Sequence, residues 1–149
     1  MNRVFFDMDG PLVDFDGRMA ELGLPGHILK TMPGAYSSMK PVPGALDSVR
    51  ETIRLGYEAW IATKPPTGIP HAYADKVEWI LKHLPELSTR IIITHDKGLL
   101  GDEGDILIDD RPHKANCQAF RGTFIHFKSG HQWPEVMRYL RDRAAGQAA

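Results

Sequence analysis

The chain has 149 residues but a single cysteine, Cys117, so no intramolecular disulfide can form. Proteins without such bridges are typical of reducing compartments, and we expect a cytoplasmic location. The chain opens directly in a predicted strand, which leaves no room for a signal peptide and supports the same expectation. Cys117 falls within a predicted helix over 113–120, where we interpret it as a small core residue and not as a nucleophile.

Long apolar runs and a strong charge of one sign are also missing. No apolar run approaches the ~20 residues that a membrane helix needs, so we expect no membrane partner. The formal net charge is -1, so the chain lacks the excess of positive charge that is typical of proteins that bind duplex nucleic acid. We therefore expect no stable nucleic-acid partner. No G-x-G-x-x-G loop follows the first strand, which disfavours a dinucleotide site.

Strand and helix signals alternate along the chain. Apolar strands are predicted at 3–7, 57–63, 90–94, 106–108 and 123–127, and helices at 44–55, 71–84, 113–120 and 134–143. Strands that are apolar throughout and separated by helices are typical of a parallel sheet covered on both faces. The expected fold class is therefore α/β, with a three-layer, Rossmann-like parallel sheet in a single domain over 1–149.

Residues 14–40 break this alternation. The stretch contains one short possible helix at 18–22, followed by several glycines and prolines. It is too short for a second domain. We interpret about residues 15–40 as a small cap, inserted after the first strand and able to cover a site there.

Two acids, Asp7 and Asp9, directly follow the apolar run 4–6 and are separated by one residue. The alternation of an extended chain places both on the same side. Two unpaired acids there would repel each other, so a bound cation is the economical explanation. Gly10 allows the backbone to turn sharply just beyond them. The arrangement indicates a phosphoryl-transfer site.

Polar residues also follow the other predicted strands, at Thr63, Lys64, Lys97, Asp109 and Asp110. In parallel sheets, ligands bind outside the carboxyl ends of the strands. We therefore expect these side chains to converge with the first two acids at one edge of the sheet. Thr63, Lys64 and Lys97 are the candidates for binding phosphate.

Phosphoryl transfer through an aspartyl phosphate needs a carboxylate nucleophile, a hard divalent cation, donors for the equatorial oxygens and a proton donor. Asp7 would attack phosphorus, and Asp9 would protonate the leaving oxygen and later activate water. Thr63 would hold one phosphoryl oxygen, and the ammonium of Lys97 would suppress repulsion between phosphate and Asp7. The acids at 109–110 would complete an Mg²⁺ site.

Simpler interpretations exist for single residues. Taken alone, Thr63 would be a turn residue and Lys97 a solvated side chain. The run Asp109-Asp110-Arg111-Pro112 could be a helix start with an acid at its cap. It is hard to attribute to chance that all of these residues occur together, in this order and each at the end of a strand.

This ordered set resembles the haloacid dehalogenase-like phosphohydrolase superfamily, whose motifs are DxD, a strand-terminal Thr or Ser, a Lys and a late acidic pair. The segments 7–16, 41–66, 76–84 and 91–112 narrow the resemblance to the 5′(3′)-deoxyribonucleotidases. The most specific parts are the PGAL helix start, the helix KVEWILKHL and the DK…LIDD block. The similarity covers most of residues 3–112.

The resemblance implies an Mg²⁺-dependent hydrolase that removes phosphate from nucleoside monophosphates, mostly deoxyribo forms. Asp7 matches the family nucleophile, and Asp9 matches its acid/base, with the Asp9 backbone carbonyl on the metal. Thr63 and Lys97 match the phosphate-binding pair. Asp110 matches the metal ligand, with Asp109 in support, and Phe15 matches an aromatic residue near the base. For Phe15, a core contact between cap and sheet is an equal alternative.

The chain also departs from the family. Its cap is shorter than the helical bundle of the family, which opens the site to larger substrates. A phosphatase for sugar phosphates or for nucleic-acid 3′ ends is therefore the alternative within the enzyme class. A receiver-like phospho-Asp signalling module is an alternative from a different class, although its acidic pair would come first in the chain. A partner subunit could complete the short cap, so a homodimer is a further hypothesis.

Overall fold

The computed structural model describes residues 2–148, which form one five-stranded sheet. The strands in chain order are β1 (Arg3–Phe6), β2 (Glu58–Thr63), β3 (Ile91–Ile93), β4 (Ile106–Asp109) and β5 (Thr123–His126). All neighbouring strands pair in parallel, in the spatial order β3-β2-β1-β4-β5. The predicted α/β fold with a parallel sheet is confirmed, and β1 lies at its centre.

Within the described residues the α-helices are α1 (Phe15–Leu22), α2 (Gly26–Leu29), α3 (Ala45–Arg54), α4 (Pro70–His83) and α5 (Trp133–Ala148). Helix α4 begins at Pro70, because a missing N–H costs nothing in the first turn of a helix. Helix α5 continues past its predicted end at 143, since the alanines that follow favour helix. No helix in this part of the chain has the length and apolar character needed to span a bilayer.

The predicted helix over 113–120 is wrong. The backbone there forms turns and then a short 3₁₀ helix at Cys117–Ala119. Ala115 and Asn116 have φ angles of 51° and 52°, and left-handed residues cannot continue a right-handed helix. The carbonyl of Ala115 instead accepts a hydrogen bond from the backbone N–H of Lys97 at 2.7 Å. This contact ties the loop after β4 to the loop after β3.

Alternate residues of β1 enter two separate apolar clusters, because successive side chains of a strand face opposite sides. Val4 and Phe6 belong to the larger cluster, to which all three long helices contribute through Val49, Ile80 and Leu140. Phe5 belongs to the smaller cluster, whose other buried members are Ala62, Leu107, Cys117 and Phe120. Cys117 is buried there as a small core residue, as predicted.

The segment over residues 15–40 contains α1, α2 and a 3₁₀ helix at Ala35–Ser38. Helix α1 begins earlier than the predicted start at 18, because Oδ1 of Asp14 accepts the backbone N–H of Gly17 at 3.0 Å. Tyr36 and Met39 at the end of this segment are buried in the larger apolar cluster.

Candidate active site

Three neighbouring strands end in polar residues at the same edge of the sheet. Asp7 directly follows β1, Thr63 is the last residue of β2, and Asp109 is the last residue of β4. Since β1 lies between β2 and β4, their carboxyl ends meet there. The backbone N–H of Asp7 donates to the carbonyl of Ile108 at 3.0 Å, which holds this acid beside β4.

Asp7, Asp109 and Asp110 form an acidic cluster, in which one carboxylate oxygen of each lies within 4.8 Å of the others. Gly10 makes the close approach of Asp110 possible. A Cβ at position 10 would lie 2.6 Å from Oδ2 of Asp110, and the φ angle of Gly10 is +100°. A side chain at this position would therefore displace the acid and strain the turn.

Lys97 is the counter-charge of this cluster. Its buried Nζ donates to Oδ1 of Asp7 at 2.8 Å and to Oδ2 of Asp109 at 2.6 Å. Burial alone would lower the pKa of Lys97, but the charges of Asp7 and Asp109 outweigh burial and raise it above its usual value. The lysine is therefore an ammonium. Burial raises the pKa of Asp7, and the charge of Lys97 opposes this effect.

Asp109 and Asp110 differ in how many hydrogen bonds their carboxylate oxygens already accept. Besides Lys97, Asp109 accepts the backbone N–H of Arg111 at 2.9 Å and the thiol of Cys117 at 3.5 Å. Asp110 is only partly buried, and burial together with the charge of Asp7 raises its pKa to about 8. Asp110 is thus the acid of the pair with more freedom to bind an ion.

The carboxylate of Asp9 lies outside the acidic cluster. Its Oδ2 accepts the hydroxyl of Tyr36 at 2.7 Å and Nζ of Lys76 at 3.2 Å. Lys76 also donates to Oγ1 of Thr63 at 3.0 Å, and its Nζ lies 4.7 Å from the centroid of the Tyr36 ring. Burial, and then the charge of Asp9, raises the pKa of Tyr36, so its hydroxyl is a donor.

The interpretation of the sequence missed Tyr36 and Lys76. For Lys76 a signal was available, because it occupies a core-facing position of α4, between Ala72 and Ile80 at spacings of four residues. A lysine in an apolar stripe indicates a buried partner. Tyr36 lies in the short 3₁₀ helix Ala35–Ser38, whose sequence has no comparable apolar pattern.

An open cavity of about 470 Å³ lies over the site. Asp7, Asp9, Lys97 and both late acids line it, as do Phe15 and Lys64. Lys64 is exposed, whereas Thr63 is buried behind Lys76, with its hydroxyl accepting from that lysine. The half-buried ring of Phe15 faces the cavity and also packs on the larger apolar cluster, with its centroid 6.2 Å from that of Tyr36. Both interpretations of Phe15 stay open.

Comparison with known proteins shows which family this chain resembles. A family model described as 5′ nucleotidase, deoxy (pyrimidine), cytosolic type C protein (NT5C) matches residues 26–140. The match includes Thr63, Lys76, Lys97 and the late acidic pair, and it begins after Asp7 and Asp9. The resemblance derived from sequence is confirmed.

Two curated relatives carry the same kind of name. A Bordetella bronchiseptica protein, provisionally named 5′(3′)-deoxyribonucleotidase, is 41% identical over 83 residues, which are 55% of this chain and 44% of that protein. The human 5′(3′)-deoxyribonucleotidase, cytosolic type, is 41% identical over 81 residues, which are 53% of this chain and 39% of that protein. The matched part therefore spans less than half the length of either relative.

A solved structure supports the fold. The haloacid dehalogenase-like family hydrolase from Xanthomonas campestris aligns with 99% of this chain and 94% of its own, at a TM-score of 0.56 and 14% identity. This likeness concerns the fold of the chain.

Proposed function

This chain belongs to the 5′ nucleotidase, deoxy (pyrimidine), cytosolic type C family, and we propose that it is an Mg²⁺-dependent phosphomonoesterase acting on nucleoside monophosphates. The observation that carries the proposal is the position of Asp7. Its carboxylate lines an open cavity, beside two further acids and 2.8 Å from a buried ammonium. Carboxylates held in this way are suited to attack an electrophilic phosphorus.

The reaction would proceed in two steps. Asp7 forms a bond to phosphorus while the bond to the nucleoside oxygen breaks, which gives an aspartyl phosphate and the free nucleoside. Asp9 gives a proton to the departing oxygen. Water then attacks the same phosphorus while Asp9 takes a proton from that water, the bond between Asp7 and phosphorus breaks, and inorganic phosphate leaves with the Asp7 carboxylate restored. Lys97, Lys64 and Thr63, through its hydroxyl and the backbone amides nearby, would bind the phosphoryl oxygens.

The acidic cluster suits a hard divalent cation. It brings three carboxylates together against one ammonium, and its oxygens, within 4.8 Å of one another, are the ligand type that Mg²⁺ prefers. Asp7, Asp110 and the backbone carbonyl of Asp9 would hold the ion, with Asp109 in support. A bound Mg²⁺ would neutralise charge on the phosphoryl group.

Residues 15–40 would act as a small cap on a single domain spanning 1–149. Phe15, Met19, Lys30 and Tyr36 from this segment line the cavity together with the acids. Phe15 and Met19 could contact a base, while Lys30 and Asp16 bring charges of opposite sign to the cavity. A cap this short leaves the cavity open, which suits bulky phosphate esters.

The test is a substrate panel with Mg²⁺. Deoxyribo- and ribonucleoside monophosphates, sugar phosphates and an oligonucleotide with a 3′ phosphate would be compared by release of inorganic phosphate. We expect turnover of nucleoside monophosphates, lost in Asp7→Asn and kept in Asp142→Asn, which makes the same charge change at an exposed position of α5.

Other outcomes would contradict the proposal in distinct ways. Full activity of Asp7→Asn would refute the nucleophile. A preference for sugar phosphates or for the 3′-phosphorylated oligonucleotide would replace the substrate class. A phosphorylated protein that persists for minutes without turnover would favour the signalling module.

Two further predictions accompany the proposal. The human relative is named as a cytosolic type, and a cytosolic location is proposed for this chain as well. The homodimer also stays a prediction. A monomer with full activity in a sedimentation measurement would remove it.

A further inference from the structure

The carboxylate of Asp9 is held through one oxygen only. Oδ2 accepts from Tyr36 and from Lys76, whereas Oδ1 is buried and has no hydrogen-bond partner among residues 2–148. The terminal torsion of an aspartate is soft, with broad preferences. The orientation of this carboxylate therefore depends on the two donors at Oδ2.

Of these two donors, Tyr36 makes the shorter bond. Its hydroxyl lies 2.7 Å from Oδ2, against 3.2 Å for the ammonium of Lys76. The tyrosine is 1% exposed, so water cannot readily replace its hydroxyl. Its ring also lies beside the ammonium, 4.7 Å from Nζ, and therefore influences both bonds to Asp9.

The backbone that carries Tyr36 is fixed on helix α4. Three side chains spaced four residues apart on α4 bond to the segment around Tyr36. His71 bonds to the carbonyl of Thr31, Oδ2 of Asp75 accepts the N–H of Gly34 at 2.8 Å, and Trp79 donates to the carbonyl of Met39 at 3.0 Å. Residues at this spacing share one face of a helix. The segment is thereby docked along α4, with Tyr36 between the docking points.

We propose that Tyr36 is a positioning residue for Asp9: its hydroxyl holds the acid/base carboxylate in the orientation required for proton transfer to the leaving oxygen. This inference rests on the proposed phosphomonoesterase activity and adds a role for the segment over 15–40 beyond covering the cavity. The segment supplies a hydrogen bond on which the proton-transfer step depends.

The test compares two esters that differ in their need for a proton. A nucleoside leaves as an alkoxide unless its oxygen is protonated, whereas p-nitrophenolate is a weak base that leaves unaided. We expect Tyr36→Phe to lower kcat/KM for a nucleoside monophosphate about tenfold, a part of the roughly 10²–10⁴-fold that general acid catalysis supplies. For p-nitrophenyl phosphate we expect a fall of less than about threefold. The ratio of the two values does not depend on the folded fraction of the sample.

Two reference variants show how large and how small the selective loss can be. Asp9→Asn removes the acid itself and is expected to show the same selective loss to a greater degree. Tyr57→Phe removes another buried hydroxyl, which donates to the carbonyl of Leu140 at 2.9 Å and lies away from the cavity. It should leave the ratio of the two kcat/KM values unchanged.

The outcomes separate this inference from the proposed function. Equal losses for both esters in Tyr36→Phe, or no loss for either, would overturn the positioning role while the phosphatase stands. An unchanged ratio in Asp9→Asn would overturn it as well, because Asp9 would not be the acid. A wild-type chain that hydrolyses neither ester would remove the proposed function and this inference together.

Discussion

The Nζ atom of Lys97 lies 2.8 Å from Oδ1 of Asp7, although the two residues are 90 positions apart in the chain. The bond joins the loop after β3 to the end of β1, across the edge of the sheet where the acidic cluster lies. The same ammonium also binds Asp109, so one buried cation stabilises two buried carboxylates. Its removal would leave both without a counter-charge.

Lys97→Met should therefore destabilise the fold as well as abolish activity. Breaking a buried ion pair by removing one partner costs about 3 kcal/mol, and we expect a loss of this size in the free energy of unfolding in metal-free buffer. Chemical denaturation would measure it. Lys82→Met, at an exposed position of α4, should change the free energy by less than about 0.5 kcal/mol. Equal stabilities for both variants would show that the ammonium is not needed by the acids.

Magnesium should stabilise the folded chain, because the ion would bind the folded acidic cluster and not the unfolded chain. At 100 times the dissociation constant the gain is about 2.7 kcal/mol, which corresponds to a rise in Tm of roughly 5 °C or more. Asp110→Asn should lose most of this shift, while the matched variant Asp142→Asn should keep it. A shift of the same size in Asp110→Asn would contradict the assignment of the metal ligand.

Phe15→Leu distinguishes the two interpretations of that residue. If the ring contacts a base, KM for nucleoside monophosphates should rise several-fold while KM for glycerol phosphate stays constant, because only the former offers a face for stacking. Thermal unfolding of the variant provides the control. A lower Tm with unchanged KM for both substrates would assign Phe15 to the contact between the cap segment and the sheet.

The pH dependence of stability should show the contribution of Asp105. Burial would raise the pKa of this carboxyl, but hydrogen bonds from the backbone and side chain of Arg3 and from the backbone of Asp102 lower it below the ordinary value of 3.8. A depressed folded-state pKa stabilises the fold above the unfolded pKa, and this contribution disappears as pH falls through the folded value.

Asp105→Asn should accordingly lower the free energy of unfolding at pH 7 by about 2 kcal/mol, since hydrogen bonds to a charged group are lost. The difference from wild type should shrink as the pH falls below about 4. Urea denaturation at several pH values would measure both effects. A difference that stays constant down to pH 3 would contradict the role of the charge.

The candidate site shows why some features were predictable and others were not. Asp7, Thr63 and Asp109 each end an apolar run, and parallel strands bring their carboxyl ends to one edge, so their convergence followed from local patterns alone. The bonds to Asp9 come from Lys76 on α4 and from Tyr36 in a short 3₁₀ helix of the cap segment. No periodicity specifies which acid such side chains contact.

The conformation of the loop after β4 was also not predictable from local patterns. Residues 113–120 predicted a helix from their composition, yet Ala115 and Asn116 are left-handed. Neither residue demands that conformation locally. The bond from the N–H of Lys97 to the carbonyl of Ala115 accompanies it, and this partner comes from a distant part of the chain.

The amino-acid sequence by itself determined the parallel α/β sheet and the placement of acids at strand ends, because apolar runs and the residues that end them are local properties of the chain. Only the tertiary structure decided the contacts that the sequence did not predict: Lys97 bonds to Asp109 as well as to Asp7, and Lys76 bonds to Asp9 together with Tyr36. Hydrogen bonds act over about 3 Å, and the packing of helix and cap segment on the sheet brings these groups within that distance.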